Sequence, residues 1–136
     1  MPNISDQRLK HLEFIQAVIT RMAGNSMAAK GWSVALTAAL VGLASAQKAD
    51  ARFVILALLP PIAFWTIDAY YMYLERCYRD RFDAVNASTD ATWSGFDLTP
   101  LTAGRNYVTD GLLRPAVFGV HLLILVLAFA AWWMLK

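Results

Sequence analysis

Lys30, Asp68 and His121 are the residues whose types and positions could do chemistry, because each is the one charged or imidazole side chain in a long apolar stretch. An isolated carboxylate in hydrocarbon is costly and tends to take up a proton, whereas a lysine within reach keeps it ionised. A histidine at the same level can donate to that carboxylate or pass a proton on. Each residue also has a plainer reading. Lys30 can snorkel to the headgroups, and His121 can be a neutral, hydrogen-bonded helix residue. Asp68 is the hardest to explain that way, since a deep acid normally faces a bundle interior or a wet cavity. We therefore expect an Asp68/Lys30 pair, within one chain or between chains, in a polar layer that gates or simply assembles the protein. Other chemistry finds no footing. The chain has no Gly-rich phosphate loop, no Cys/His cluster with metal spacing and no nucleophile beside a base. His11, Cys77 and His121 are too far apart to predict a metal centre, so neither an enzyme nor a cofactor is expected.

The elements that must position this layer are Met27–Ala46, Phe53–Leu74 and Ala116–Leu135, each long enough to cross a bilayer as a helix. A 58% hydrophobic share, 16% charged residues and a mean hydropathy of +0.44 fit a membrane protein better than a soluble domain. Nine Lys and Arg lie in the N-terminal part and the second connection, against three in the first loop and the tail (Lys48, Arg52, Lys136). That bias predicts the N-terminus inside and the C-terminus outside. Trp132 and Trp133 then mark the outer edge, and Trp32, Tyr70, Tyr71 and Tyr73 the inner one. With this topology, helical rise puts Lys30, Asp68 and His121 within about 10 Å of the inner interface. The formal charge of +2 is too small to imply nucleic acid, and the single Cys77, expected on the reducing side, cannot form an internal disulfide. Ala44-Ser45-Ala46 resembles a signal-peptide cleavage site, but a patterned segment precedes the apolar run where such peptides have a short basic region.

Residues 1–25 read as an amphipathic helix. Leu9, Leu12, Ile15, Val18, Ile19 and Met22 recur at spacings of three and four, after an N-cap at Ser5. Gly24-Asn25-Ser26 predicts a stop and a new cap, hence a bend before the first span. The helix could lie on the inner leaflet or pack on a cytoplasmic helix. The stripe of Tyr71, Leu74, Tyr78, Phe82 and Val85 carries the second span on into the cytoplasm, with Glu75/Arg79 and Arg76/Asp80 spaced for pairing. Trp93–Pro100 reads as a loop turning at Gly95, and Leu101–Leu113 as a short surface helix. Pro60-Pro61 predicts a kink in the middle of the second span. Ala35, Ala38, Gly42 and Ala46 give the first span a face on which backbones can approach closely, pointing to a homo-oligomer. The expected fold is thus an all-α integral membrane protein: an N-terminal amphipathic helix, three transmembrane helices, and a cytoplasmic segment over residues 75–115.

A resemblance enters through Phe14-Ile15-Gln16, Arg21-Met22-Ala23-Gly24-Asn25-Ser26 and Lys30-Gly31-Trp32-Ser33, with Leu58-Leu59-Pro60, Phe64-Trp65, Asp68-Ala69-Tyr70-Tyr71 and Glu75-Arg76 following. These pieces, which span most of the chain, resemble a family of small bacterial multi-span inner-membrane proteins. Trp93–Pro100 falls near the family's Asp-Phe-Ser-like loop but departs from it in Trp93-Ser94-Gly95-Phe96-Asp97. The resemblance implies an association with antiphage operons, including Hailong-type effectors gated by a nucleotidyltransferase product. It implies an oligomeric channel controlled by a cytoplasmic ligand or an operon-encoded partner. Arg76, Arg79, Arg81 and Arg105 are the residues expected to meet that ligand or partner, and Arg114 adds to the same basic side. Nucleic acid is the less favoured partner, since no aromatic and basic platform is evident and Asp80, Asp83, Asp90, Asp97 and Asp110 dilute the basic charge. The alternative is a non-conducting membrane scaffold that recruits a cytoplasmic protein.

Overall fold

The computed structural model describes residues 5–46 and 55–135. Lys48, Arg52, Phe53 and Lys136 lie outside them, and with these the first loop and the expected start of the second span. Three long helices account for most of the described chain: α1 (Asp6–Ala46), α2 (Leu59–Ala87) and α3 (Pro115–Leu135). Among the described residues no strand occurs.

The longest of the three is α1, with 41 residues. At about 1.5 Å per residue it runs roughly 60 Å, twice the thickness of a bilayer's hydrocarbon core. Ser5 caps it, its Oγ accepting the Arg8 N–H and its carbonyl the Leu9 N–H. The expected interruption at Gly24 does not occur, and one helix runs through Gly24-Asn25-Ser26. A mid-helix glycine costs only about 1 kcal/mol relative to alanine, and packing on both sides of it outweighs that. The Ser26 hydroxyl donates to Asp68 instead of capping a new helix.

The N-terminal half of α1 is covered by protein. Leu12, Ile15 and Ile19 are buried against Val85, with Tyr78, Phe82 and Trp93 packed around them. Of the two expected settings for this segment, the structure gives packing on the extension of the second span. That extension exists as expected: α2 continues unbroken past Leu74 to Ala87 and is capped at Ser88, whose N–H bonds to the Val85 carbonyl.

Pro60 and Pro61 occupy the first turn of α2, directly after a 3-10 turn at Leu56–Leu58. The expected mid-span kink is therefore corrected to a junction between two helix types. In a first turn the missing N–H groups have no intrahelical partner to lose. Residues Leu101–Leu113 also differ from the expected surface helix. They form an irregular strap with a turn at Gly104, φ +77°, and a single π turn at Val108–Leu112. Gly111 presses on α2 so closely that a Cβ there would stand 2.6 Å from the Ala69 carbonyl oxygen.

Among the described residues two helices, α1 and α3, are long and apolar enough to cross a membrane. On α1, Ala35, Ala38, Gly42 and Ala46 are all exposed, whereas Ser26, Ala29, Ser33, Thr37 and Ala44 face inward and are buried.

Candidate functional site

Lys30 of α1, Asp68 of α2 and His121 of α3 meet inside one chain. Asp68 and His121 are completely buried, and the Lys30 side chain is 15% exposed. The lysine Nζ lies 2.6 Å from Asp68 Oδ2 and 2.7 Å from Oδ1. Ser26 Oγ donates to Oδ1 at 2.5 Å and accepts from Lys30 at 2.8 Å. His121 Nε2 stands 3.2 Å from Oδ2, which makes Nε2 the protonated nitrogen that donates to the carboxylate. Its Nδ1 faces Ser33 Oγ at 3.5 Å, and its ring lies nearly parallel to that of Trp65. Trp65 in turn donates its indole N–H to the Leu112 carbonyl at 3.0 Å, tying the layer to the strap.

The helical spacing explains the convergence. Ser26, Lys30 and Ser33 lie at i, i+4 and i+7 and so share one face of α1. The carboxylate accepts from three side chains and is satisfied as an anion, while Lys30 balances its charge. Such a site can clamp three helices at one point. Ser26, Ser33 and Trp65 went unrecognised as members of the layer. The periodicity of Ser26, Lys30 and Ser33, opposite the small-residue face, was the available signal.

The arginines expected to meet a ligand divide into two groups. Arg81 binds the loop, its Nε donating to the Thr99 carbonyl at 2.8 Å and its Nη2 lying 3.0 Å from Asp97. Arg76, Arg79 and Arg105 gather with Arg114 around a cleft of about 360 Å³ that Asp80 and Asp83 also line. Glu75/Arg79 pairs at 2.5 Å as its spacing predicts, but the expected Arg76/Asp80 pair is replaced. Asp80 takes Arg105 through both oxygens, at 2.5 and 2.6 Å, and Arg76 reaches Asp110 at 3.5 Å. The tertiary partner prevails because the strap presents the Nε/Nη2 edge of Arg105 side-on to the carboxylate, so that two parallel bonds form. Hydrogen bonds from Arg105 hold the Asp80 carboxyl below the usual range, and the Asn106 N–H does the same for Asp110. Cys77 is buried, and that burial pushes its thiol up, away from the reactive thiolate.

A further polar contact joins α1 to the loop. Trp93 donates its indole N–H to His11 Nδ1 at 3.1 Å, so His11 Nε2 is the nitrogen that donates to the Asp97 carbonyl at 2.8 Å. The His11 ring stacks on Phe96. The Trp93–Asp97 loop thus serves to dock the N-terminal half of α1.

No protein family, curated protein or solved structure matches the chain.

Proposed function

We propose that the protein is a homo-oligomeric channel of the bacterial inner membrane, with three spans, the N-terminus inside and the C-terminus outside. The Asp68 layer is its lock, and the cytoplasmic arginine face receives the controlling ligand or partner, as the resemblance to antiphage effectors implies. The observation that carries this reading is the clamp itself. A single buried carboxylate holds Lys30 and Ser26 of α1 and His121 of α3, so one site controls how three helices sit against one another. The exposed face of Ala35, Ala38, Gly42 and Ala46 supports self-association.

A second reading, the non-conducting scaffold, is favoured by the same layer being satisfied within one chain, which leaves no charge over for a pore wall. Membrane potential in bacteria separates the two. Inducing the Asp68→Asn variant depolarises the cells relative to the wild type if the layer is a lock, with the oligomer still present on crosslinking. An unchanged potential, with the variant confirmed in the membrane and the wild type also silent beside its neighbouring gene, establishes the scaffold.

A further inference from the structure

The cleft between α2 and the root of α3 holds more guanidinium than its carboxylates satisfy. Arg76 and Arg79 lie one turn apart on α2, Arg105 enters from the strap, and Arg114 stands immediately before Pro115, where α3 begins. Asp80, Asp110 and the neighbouring Glu75 are already engaged. Asp80 is held by Arg105 at both oxygens, and Asp110 is shared between Arg105 at 3.2 Å and Arg76 at 3.5 Å. Glu75 is taken by Arg79 at 2.5 Å and stands 3.8 Å from Arg114, an ion-pair distance but beyond hydrogen-bond reach. Arg76 Nε and Arg114 Nη1 are buried with no hydrogen-bond acceptor. Burial and the adjacent Arg76 and Arg79 charges also weigh against the Arg114 cation, with Glu75 only partly offsetting them.

Both guanidinium groups are thus short of acceptors while their side chains stay partly exposed, at 37% and 25%, and an anion with several oxygens on one centre accepts from the accessible N–H groups of both at once. We propose that this cleft binds a phosphate group bridging Arg76 and Arg114, with Arg79 and Arg105 at its sides. Its place at the start of an apolar helix favours the headgroup phosphate of an anionic phospholipid, and a free phosphate shares the same chemistry. Asp83, exposed on the rim, opposes the bound charge. The inference rests on the membrane placement and ligand-receiving arginine face proposed above, but not on whether the Asp68 layer conducts.

The test is thermal unfolding of the full chain in neutral detergent, titrated with phosphatidylglycerol, with diacylglycerol as the phosphate-free control, and separately with inorganic phosphate at fixed ionic strength. Phosphatidylglycerol should raise the midpoint where diacylglycerol does not. Arg114→Gln should weaken half-saturation about fivefold, as expected for one phosphate-facing arginine. Asp83→Asn should tighten it, and Arg81→Gln, outside the cleft, should leave it unchanged. The Asp83→Asn arm keeps the test decisive if Arg114→Gln fails to fold. The same pattern with inorganic phosphate alone supports the site and assigns it to a free phosphate. Absence of stabilisation by both ligands overturns the proposal, as does equal weakening by Arg114→Gln and Arg81→Gln, which marks diffuse surface charge.

Discussion

Asp68 has no access to solvent and bonds to side chains from two other helices, so its contribution is best judged by what its removal leaves behind. Replacing one member of a buried ion pair strands the other, which typically costs about 3 to 5 kcal/mol, whereas replacing both with apolar groups of similar volume is often close to neutral. Lys30 retains some access, so the lower end of that range applies. Asp68→Asn should therefore destabilise the protein by about 3 kcal/mol, and Lys30→Met combined with Asp68→Leu should recover most of it. Unfolding of the two variants and the wild type in one detergent checks this. Equal loss in both would mean that the carboxylate's bonds to Ser26 and His121 matter more than the ion pair. The need for a partner to Asp68 was legible from residue type and its apolar sequence surroundings alone. The identity of its other donors was not, because Ser26 is as good an N-cap as it is a side-chain donor, and only the continuity of α1 decides between the two.

At the scale of elements, the strap lies close against the backbone of α2. Gly111 sits against the Ala69 carbonyl, next in sequence to Asp68. A methyl group there has no room, and the obstacle is backbone, which cannot rotate away. Gly111→Ala should destabilise by about 1 to 3 kcal/mol and speed amide exchange in the strap, which hydrogen–deuterium exchange resolved by peptide would show. Unaltered exchange over residues 106–113 would contradict the close approach. The strap is also where sequence reasoning was weakest. Leu101–Leu113 carries a mixed pattern that fits a short helix, but Arg105 bonds to Asp80, Trp65 to the Leu112 carbonyl and Tyr107 to the Thr66 carbonyl, and these tertiary bonds outweigh local propensity. The Pro60-Pro61 pair was misplaced for a related reason: proline announces a change in the helix, but whether it falls inside an element or at its start depends on what precedes it.

For the whole molecule, the faces of α1 divide the labour. Its inner face carries the Ser26, Lys30 and Ser33 row, and its outer face offers Ala35, Ala38, Gly42 and Ala46. In the homo-oligomer proposed above, Ala38→Leu with Gly42→Leu should abolish self-association while leaving the unfolding midpoint of the isolated chain nearly unchanged, since neither position is buried within it. Sedimentation in density-matched detergent measures the first and thermal unfolding the second; an oligomer that persists would place the interface elsewhere. The sequence by itself determined the helical class, the apolar stretches and the need of Asp68 for a partner, because hydropathy and the cost of buried charge act on each segment independently of its neighbours. It also set the extension of α2 beyond Leu74, whose apolar stripe needed a cover. The tertiary structure decided that Lys30, Asp68 and His121 close within one chain, that the stripe's cover is the N-terminal half of α1, and that Arg105 rather than Arg76 takes Asp80. Those outcomes depend on which of several chemically equivalent partners the packing brings within hydrogen-bond distance, and composition and periodicity carry no record of that distance.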